Sequence, residues 1–121
     1  MTKTIAIRVS AVLGLLAVGL GAFGAHGLKE TLTQHGMVAV WEKAVFYHFI
    51  HTVILFVLPQ RREFCSGPWL ALFAGIILFS GSLYSLAITH WKWLGFITPF
   101  GGVCFVVGWI WLVISARKLV E

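Results

Sequence analysis

Charged side chains are so sparse along this chain that they divide it into four uncharged runs: Val9 to Leu28, Ala44 to Gln60, Phe64 to Trp91 and Trp93 to Ala116. A helix rises about 1.5 Å per residue, so about 20 apolar residues cross a hydrocarbon core of about 30 Å. Each run therefore predicts one crossing helix. The second run is the shortest, but it extends backward through Gly36-Met-Val-Ala-Val-Trp41, where Val38, Trp41 and Val45 share a helical face around Glu42-Lys43. Pro59 closes that helix and Pro68 suits the first turn of the next, where its missing N–H costs nothing. Thr98-Pro99 reads two ways, as the start of the last helix or as a kink in a longer one from near Trp93. The pattern predicts an all-α integral membrane protein, a four-transmembrane-helix bundle. Its single domain covers 1–121, with helices over about 9–28, 37–58, 68–90 and 95–117.

Composition sharpens this. Of 121 residues, 60% are apolar and 11% charged, with a mean hydropathy of +0.95, against about 25% charged in soluble domains. Disorder, a coiled coil and a nucleic-acid module are excluded. The net charge of +5 reads as a topology signal, because the cations sit between apolar runs. One side collects Lys3, Arg8, Arg61, Arg62, Arg117 and Lys118, six in all, against three for Lys29, Lys43 and Lys92. Both termini are therefore expected to be cytoplasmic, in an inner membrane. Trp41, Trp91 and Trp93 then fall at the outer boundary and Trp69 at the inner one, as aromatic belts do; Trp109 and Trp111 lie deeper. A secretory leader ending near Ala22-Phe-Gly24 is the lesser reading of the first run.

Small residues recur on the first helix at Ser10, Gly14, Ala17, Gly21 and Ala25, a stripe that lets backbones approach where lipid supplies no hydrophobic drive between helices. Packing within the bundle is the first expectation for Gly14, Ala17, Gly21 and Ala25, and a homo-oligomer face the second. All five histidines fall in the outer half. His48 and His51 lie roughly 7 and 12 Å inward of Lys43 and are neighbours at i, i+3. Hydroxyl groups stand at similar depth, so His26, Tyr47, His48, His51, Ser80, Ser82, Tyr84 and Thr98 form a candidate ligand-binding cluster. The competing view is that these groups simply bond helices together.

Sharper chemistry finds less support. Glu30 and Glu42 are not spaced to complete a metal site, and Cys65 and Cys104 form no CxxC. A haem would need histidines from facing helices, for which only His26 and His48 qualify. No uncharged run contains the carboxylate expected of a proton-coupled drug exporter, and no orienting acid completes a nucleophile at Ser80 or Ser82. No enzyme activity, cofactor or nucleic-acid partner is expected.

The segments Gly21-Ala-Phe-Gly-Ala-His-Gly-Leu28, Tyr47-His-Phe-Ile-His51, Leu78-Phe-Ser-Gly-Ser-Leu-Tyr84 and Ile97-Thr-Pro-Phe-Gly-Gly102, followed by Gly108-Trp109, resemble the YgdD-like family of small inner-membrane proteins. The resemblance spans essentially the whole chain. It implies a four-helix bacterial membrane protein and carries no established activity, substrate or catalytic residue. The functional expectation is a non-enzymatic module whose outer cluster binds a lipid, a small ligand or a membrane protein partner. The alternatives are a His-ligated haem or metal subunit of a redox assembly, and a small transporter or proton path.

Overall fold

The computed structural model describes residues 1–120; Glu121 and the side chain of Lys118 lie outside the described residues. Its helices are α1 (Lys3–Ala25), α2 (Lys29–His35), α3 (Val38–Val57), α4 (Ser66–Gly75), α5 (Gly81–Thr89), α6 (Thr98–Ile114) and α7 (Ala116–Val120). A 3-10 turn at Leu58–Gln60 extends α3, another at Lys92–Phe96 leads into α6, and a π-helical stretch at Ile76–Ser80 joins α4 to α5. Four continuous segments are thus long and apolar enough to cross a membrane: Lys3–Ala25, Val38–Gln60, Ser66–Thr89 and Lys92–Ile114. Among the described residues there is no strand.

The boundaries depart from the uncharged runs for local reasons. α1 begins at Lys3 because Thr2 Oγ1 accepts from the Ile5 N–H as an N-cap, while Lys3 Nζ donates to the carbonyls of Arg61 and Arg62 at 2.8 and 3.0 Å. A cation whose donors are so used need not end a helix. Arg61 in turn donates to the Leu119 carbonyl, so both chain ends and the loop after α3 are tied together at one end of the bundle. At the other end α2 replaces the plain connection expected there. Leu32, 1% exposed, anchors it in a small core with Trp41 and Ala87, and Gly36 closes it in the left-handed conformation (φ 66°) that glycine adopts without strain. Pro99 sits in the first turn of α6, preceded by the 3-10 turn, so the last span combines features of both readings of Thr98-Pro99.

The bundle is built from two hairpins, α1 against α3 and α4 against α6. Its main core lies nearer the end with the termini, where Leu13, Leu55, Leu72, Ile76 and Phe105 meet beneath Trp69. The tightest backbone approach lies in the second hairpin, away from the α1 stripe. A Cβ at Gly101 would overlap the Phe79 backbone, one at Gly75 the Phe105 ring, and one at Gly108 the Leu72 side chain. In the stripe itself, Gly14 and Gly21 would reach only 3.7 Å from Thr52 Cγ2 and 3.4 Å from Val45 Cγ1, Ala17 is buried, and Ala25 is exposed. The close glycine of α1 is Gly24, whose missing Cβ makes room for the Trp41 indole.

Candidate functional site

α3 carries the chemistry, and its 3.6-residue turn sends successive polar side chains to different neighbours. His51, 5% exposed, stacks its ring on Phe105 at 3.8 Å and 12°. His51 Nδ1 lies 2.7 Å from the Tyr47 carbonyl, which can only accept, so Nδ1 bears the proton. Nε2 is then a bare acceptor, and the Trp109 Nε1–H donates to it at 3.0 Å. Both ring nitrogens of His51 are therefore engaged, which leaves neither for a metal or a ligand. His48, 2% exposed, turns toward α1 and α5 instead, with Nδ1 2.8 Å from the Tyr84 hydroxyl and the Trp41 edge packed on Tyr84 at 4.8 Å.

The hydroxyl groups of the third span complete a seam between helices. Ser80, fully buried, donates to the Ala44 carbonyl of α3 at 2.7 Å. Ser82 donates to the Phe79 carbonyl at 2.9 Å, so in the 2.6 Å pair with Thr98 it is Thr98 that donates to Ser82. The π-helical stretch ends at Ser80, and this local widening accompanies the bond to α3 there. The Tyr47 ring packs against Phe79 at a tilt of 42°, with centroids 4.6 Å apart.

Of the eight candidate cluster residues, Tyr47, His48, His51, Ser80, Ser82, Tyr84 and Thr98 are thus drawn into contacts with other protein groups, whereas His26 stays exposed at the end of α1. His48 sits on α3 between Val45, which meets α1 at Gly21, and Thr52, which meets it at Gly14, so His26 lies roughly 12 Å further along the axis of α1 at 1.5 Å per residue. Those two histidines therefore do not face each other across one haem iron. Among the described residues no group of three or more His, Cys, Asp or Glu is placed to hold a metal ion. Trp109, which the depth of the tryptophans left without a role, supplies a cluster contact; the available signal was its indole N–H, a donor that needs a partner inside a span.

A cavity opens on another face of α3. A groove of about 680 Å³ runs between α1, α2 and α3, within the size range of small-molecule sites. Gly21 and Gly24 of α1 and Val45, Phe46, Phe49 and Ile50 of α3 make an apolar bed. The buried Trp41 indole also lines it and is locked by donating Nε1–H to the Leu20 carbonyl at 2.9 Å. Lys29, Thr33 and Glu42 line its end beside α2. Sequence reasoning named Gly21 here only as a packing residue. The groove exists because α2 folds over the mouth of the α1–α3 hairpin, and α2 was the element that the apolar pattern did not reveal.

Fold and site together define a small integral membrane protein: a four-span helical bundle, cross-linked by buried polar groups, with an amphipathic groove at one end. Residues 20–102 match the family described as "Protein of unknown function (DUF423)", and the chain belongs to that family. It is similar to the UPF0382 membrane protein YwdK of Bacillus subtilis (strain 168), with 47% identity over 93% of this chain and 95% of that one. It is likewise similar to the UPF0382 membrane protein SAB0533 of Staphylococcus aureus, at 46% identity over 93% and 94% of the two chains. SH2409 of Staphylococcus haemolyticus shares 44% identity over 94% and 96%. No solved structure matches the chain.

Proposed function

We propose that this protein is a non-enzymatic inner-membrane module that holds one membrane lipid in the groove between α1, α2 and α3, with an acyl chain along Val45, Phe49 and Ile50 and the head group beside Lys29 and Glu42. The observation that carries this reading is the pairing of an apolar bed with two opposite charges at one end of the same cavity. Each methylene that leaves water for such a bed contributes about 0.8 kcal/mol, but a chain moving from bilayer to groove gains mainly dispersion contacts. Shape and the charged end must therefore provide selectivity. In this reading the His/Tyr/Ser/Thr cluster holds α3 in register against the third and fourth spans, and the groove does the binding. We propose further, on the four motifs quoted above, that within its family the chain is one of the YgdD-like proteins.

Native mass spectrometry of protein purified in mild detergent tests the proposal. The native chain is expected to retain one lipid per monomer. Ala25→Trp, an exposed change at the groove lining, is expected to reduce retention about tenfold, the equivalent of about 1.4 kcal/mol. Equal retention by the two proteins, or none by the native chain, would overturn the reading.

The orientation follows the charge count. We place the end that gathers Lys3, Arg61, Arg62 and both termini in the cytoplasm, which puts the groove in the outer leaflet. A phosphatase reporter fused after Glu121 is expected to be inactive and a cytoplasmic fluorescent reporter bright. The reverse result would turn the molecule over and move the groove to the inner leaflet.

A further inference from the structure

Glu42, Val45, Phe49 and Ile50 all line the groove and stand at i, i+3, i+7 and i+8 on α3, so one face of that helix runs along it. At 1.5 Å per residue, Ile50 lies about 12 Å along that face from Glu42. An occupant that fills the groove therefore meets charge at one end and, on α3, only apolar side chains beyond it. Lys29 and Thr33, four residues apart and so on one face of α2, complete the charged end.

That end offers a particular set of donors and acceptors. The Thr33 hydroxyl donates to the Lys29 carbonyl at 2.7 Å, so its oxygen has only lone pairs left. The Glu42 carboxylate likewise only accepts, and the Lys29 ammonium only donates. Among the described residues no ion pair joins Lys29 to Glu42, which leaves both charges for a ligand. A head group that satisfies this end carries an anion for Lys29 and, a few atoms away, a cation with N–H groups for Glu42 and Thr33.

A phosphodiester joined through two carbons to a primary ammonium meets each requirement. Phosphocholine has both charges but no N–H to donate. Phosphoglycerol supplies the anion alone and sets it near the Glu42 carboxylate. Resting on the lipid reading above, we infer that the groove selects a phospholipid of the phosphatidylethanolamine class, with its phosphate on Lys29 and its ammonium donating to Glu42 and Thr33. The net charge of +5 would by itself favour an anionic lipid, so local contacts and bulk electrostatics call for opposite preferences.

Native mass spectrometry of the full chain with an equimolar mixture of dioleoyl phosphatidylethanolamine, phosphatidylcholine and phosphatidylglycerol reads this choice, because the three share their acyl chains. The ethanolamine lipid is expected to be retained about fivefold over each of the others, the scale of one charge contact at an exposed site. Glu42→Gln is expected to bring the ethanolamine and glycerol lipids near parity while lipid retention persists, and Lys29→Met to lower retention of all three. Glu30→Gln removes the same charge from α2 outside the groove lining and is expected to leave the preference unchanged. All three positions are exposed, so none of these changes touches the core. Equal retention of the three lipids by the native chain, a preference for the glycerol lipid, or equal effects of Glu42→Gln and Glu30→Gln would overturn the head-group assignment and leave the lipid reading standing. Retention of no lipid at all would overturn both.

Discussion

Gly101→Ala is expected to cost about 3 kcal/mol or more, or to prevent assembly of the bundle outright. Overpacking a well-filled core with one methyl group usually costs about 1–3 kcal/mol, because side chains at the contact can rotate away. Here they cannot, since the added Cβ would run into the Phe79 backbone nitrogen and Cα, which belong to the third span itself. Relief requires moving α6 away from the third span. That movement would stretch the Thr98–Ser82 hydrogen bond less than one turn away and open the Gly75–Phe105 and Gly108–Leu72 contacts in the same seam. The adjacent glycine supplies the control. A Cβ at Gly102 meets nothing within 4 Å, so Gly102→Ala is expected to be neutral or to stabilise by up to about 1 kcal/mol through helix propensity alone. Unfolding in mixed micelles followed by circular dichroism measures both. Equal effects at the two positions would show that Gly101 has no special role in close packing.

The pair Gly101-Gly102 also shows what a one-dimensional pattern withholds. Small residues are visible on three helices, and the regular stripe on α1 is the most conspicuous. Which glycine meets another backbone depends on helix rotation, and rotation in a membrane bundle is only weakly encoded. The lipid-facing residues are as apolar as the core, so no polar face marks the outside. The spans themselves were legible because excluding charge from hydrocarbon is a large effect that repeats over 20 or more residues. α2 was not legible because Lys29–His35 is polar and short, and one buried leucine, Leu32, holds it in place. The π-helical stretch at Ile76–Ser80 left no mark either, its sequence being an apolar run like its neighbours.

The histidines divide in the same way. Their depth could be counted from Lys43, and the expectation of hydroxyl groups at that depth led to Ser80, Ser82, Tyr84 and Thr98. Their partners could not be counted. Positions i and i+3 suggest two rings side by side, but His48 turns to Tyr84 and α1 while His51 turns to Phe105 and Trp109. One histidine keeps a nitrogen without a protein partner and the other keeps none, a distinction that only three-dimensional neighbours provide.

His51→Ala should therefore be among the most damaging single changes in the protein, at about 3–5 kcal/mol. It removes a ring stacked at 3.8 Å on Phe105, and large-to-small changes at buried positions cost about 2–5 kcal/mol through lost contacts and the cavity left behind. It also leaves the Trp109 N–H without its acceptor inside a span, where an unpaired donor costs about 1–3 kcal/mol. Retention of the imidazole shape is not enough: His51→Phe preserves the stack and still orphans the indole, so an intermediate loss is expected. Trp109→Phe removes the donor, and the double variant His51→Phe with Trp109→Phe should lose clearly less than the sum of the singles, because the second change relieves the penalty left by the first. His48→Phe combined with Trp109→Phe is the contrasting pair, in which the losses should add because the His48 ring bonds Tyr84 and not the indole. Additive losses in the His51 pair would mean that the indole finds another acceptor and that His51 acts only as a packed ring. A coupling confined to that pair would establish the hydrogen bond from α6 as what holds α3 in register beneath the groove.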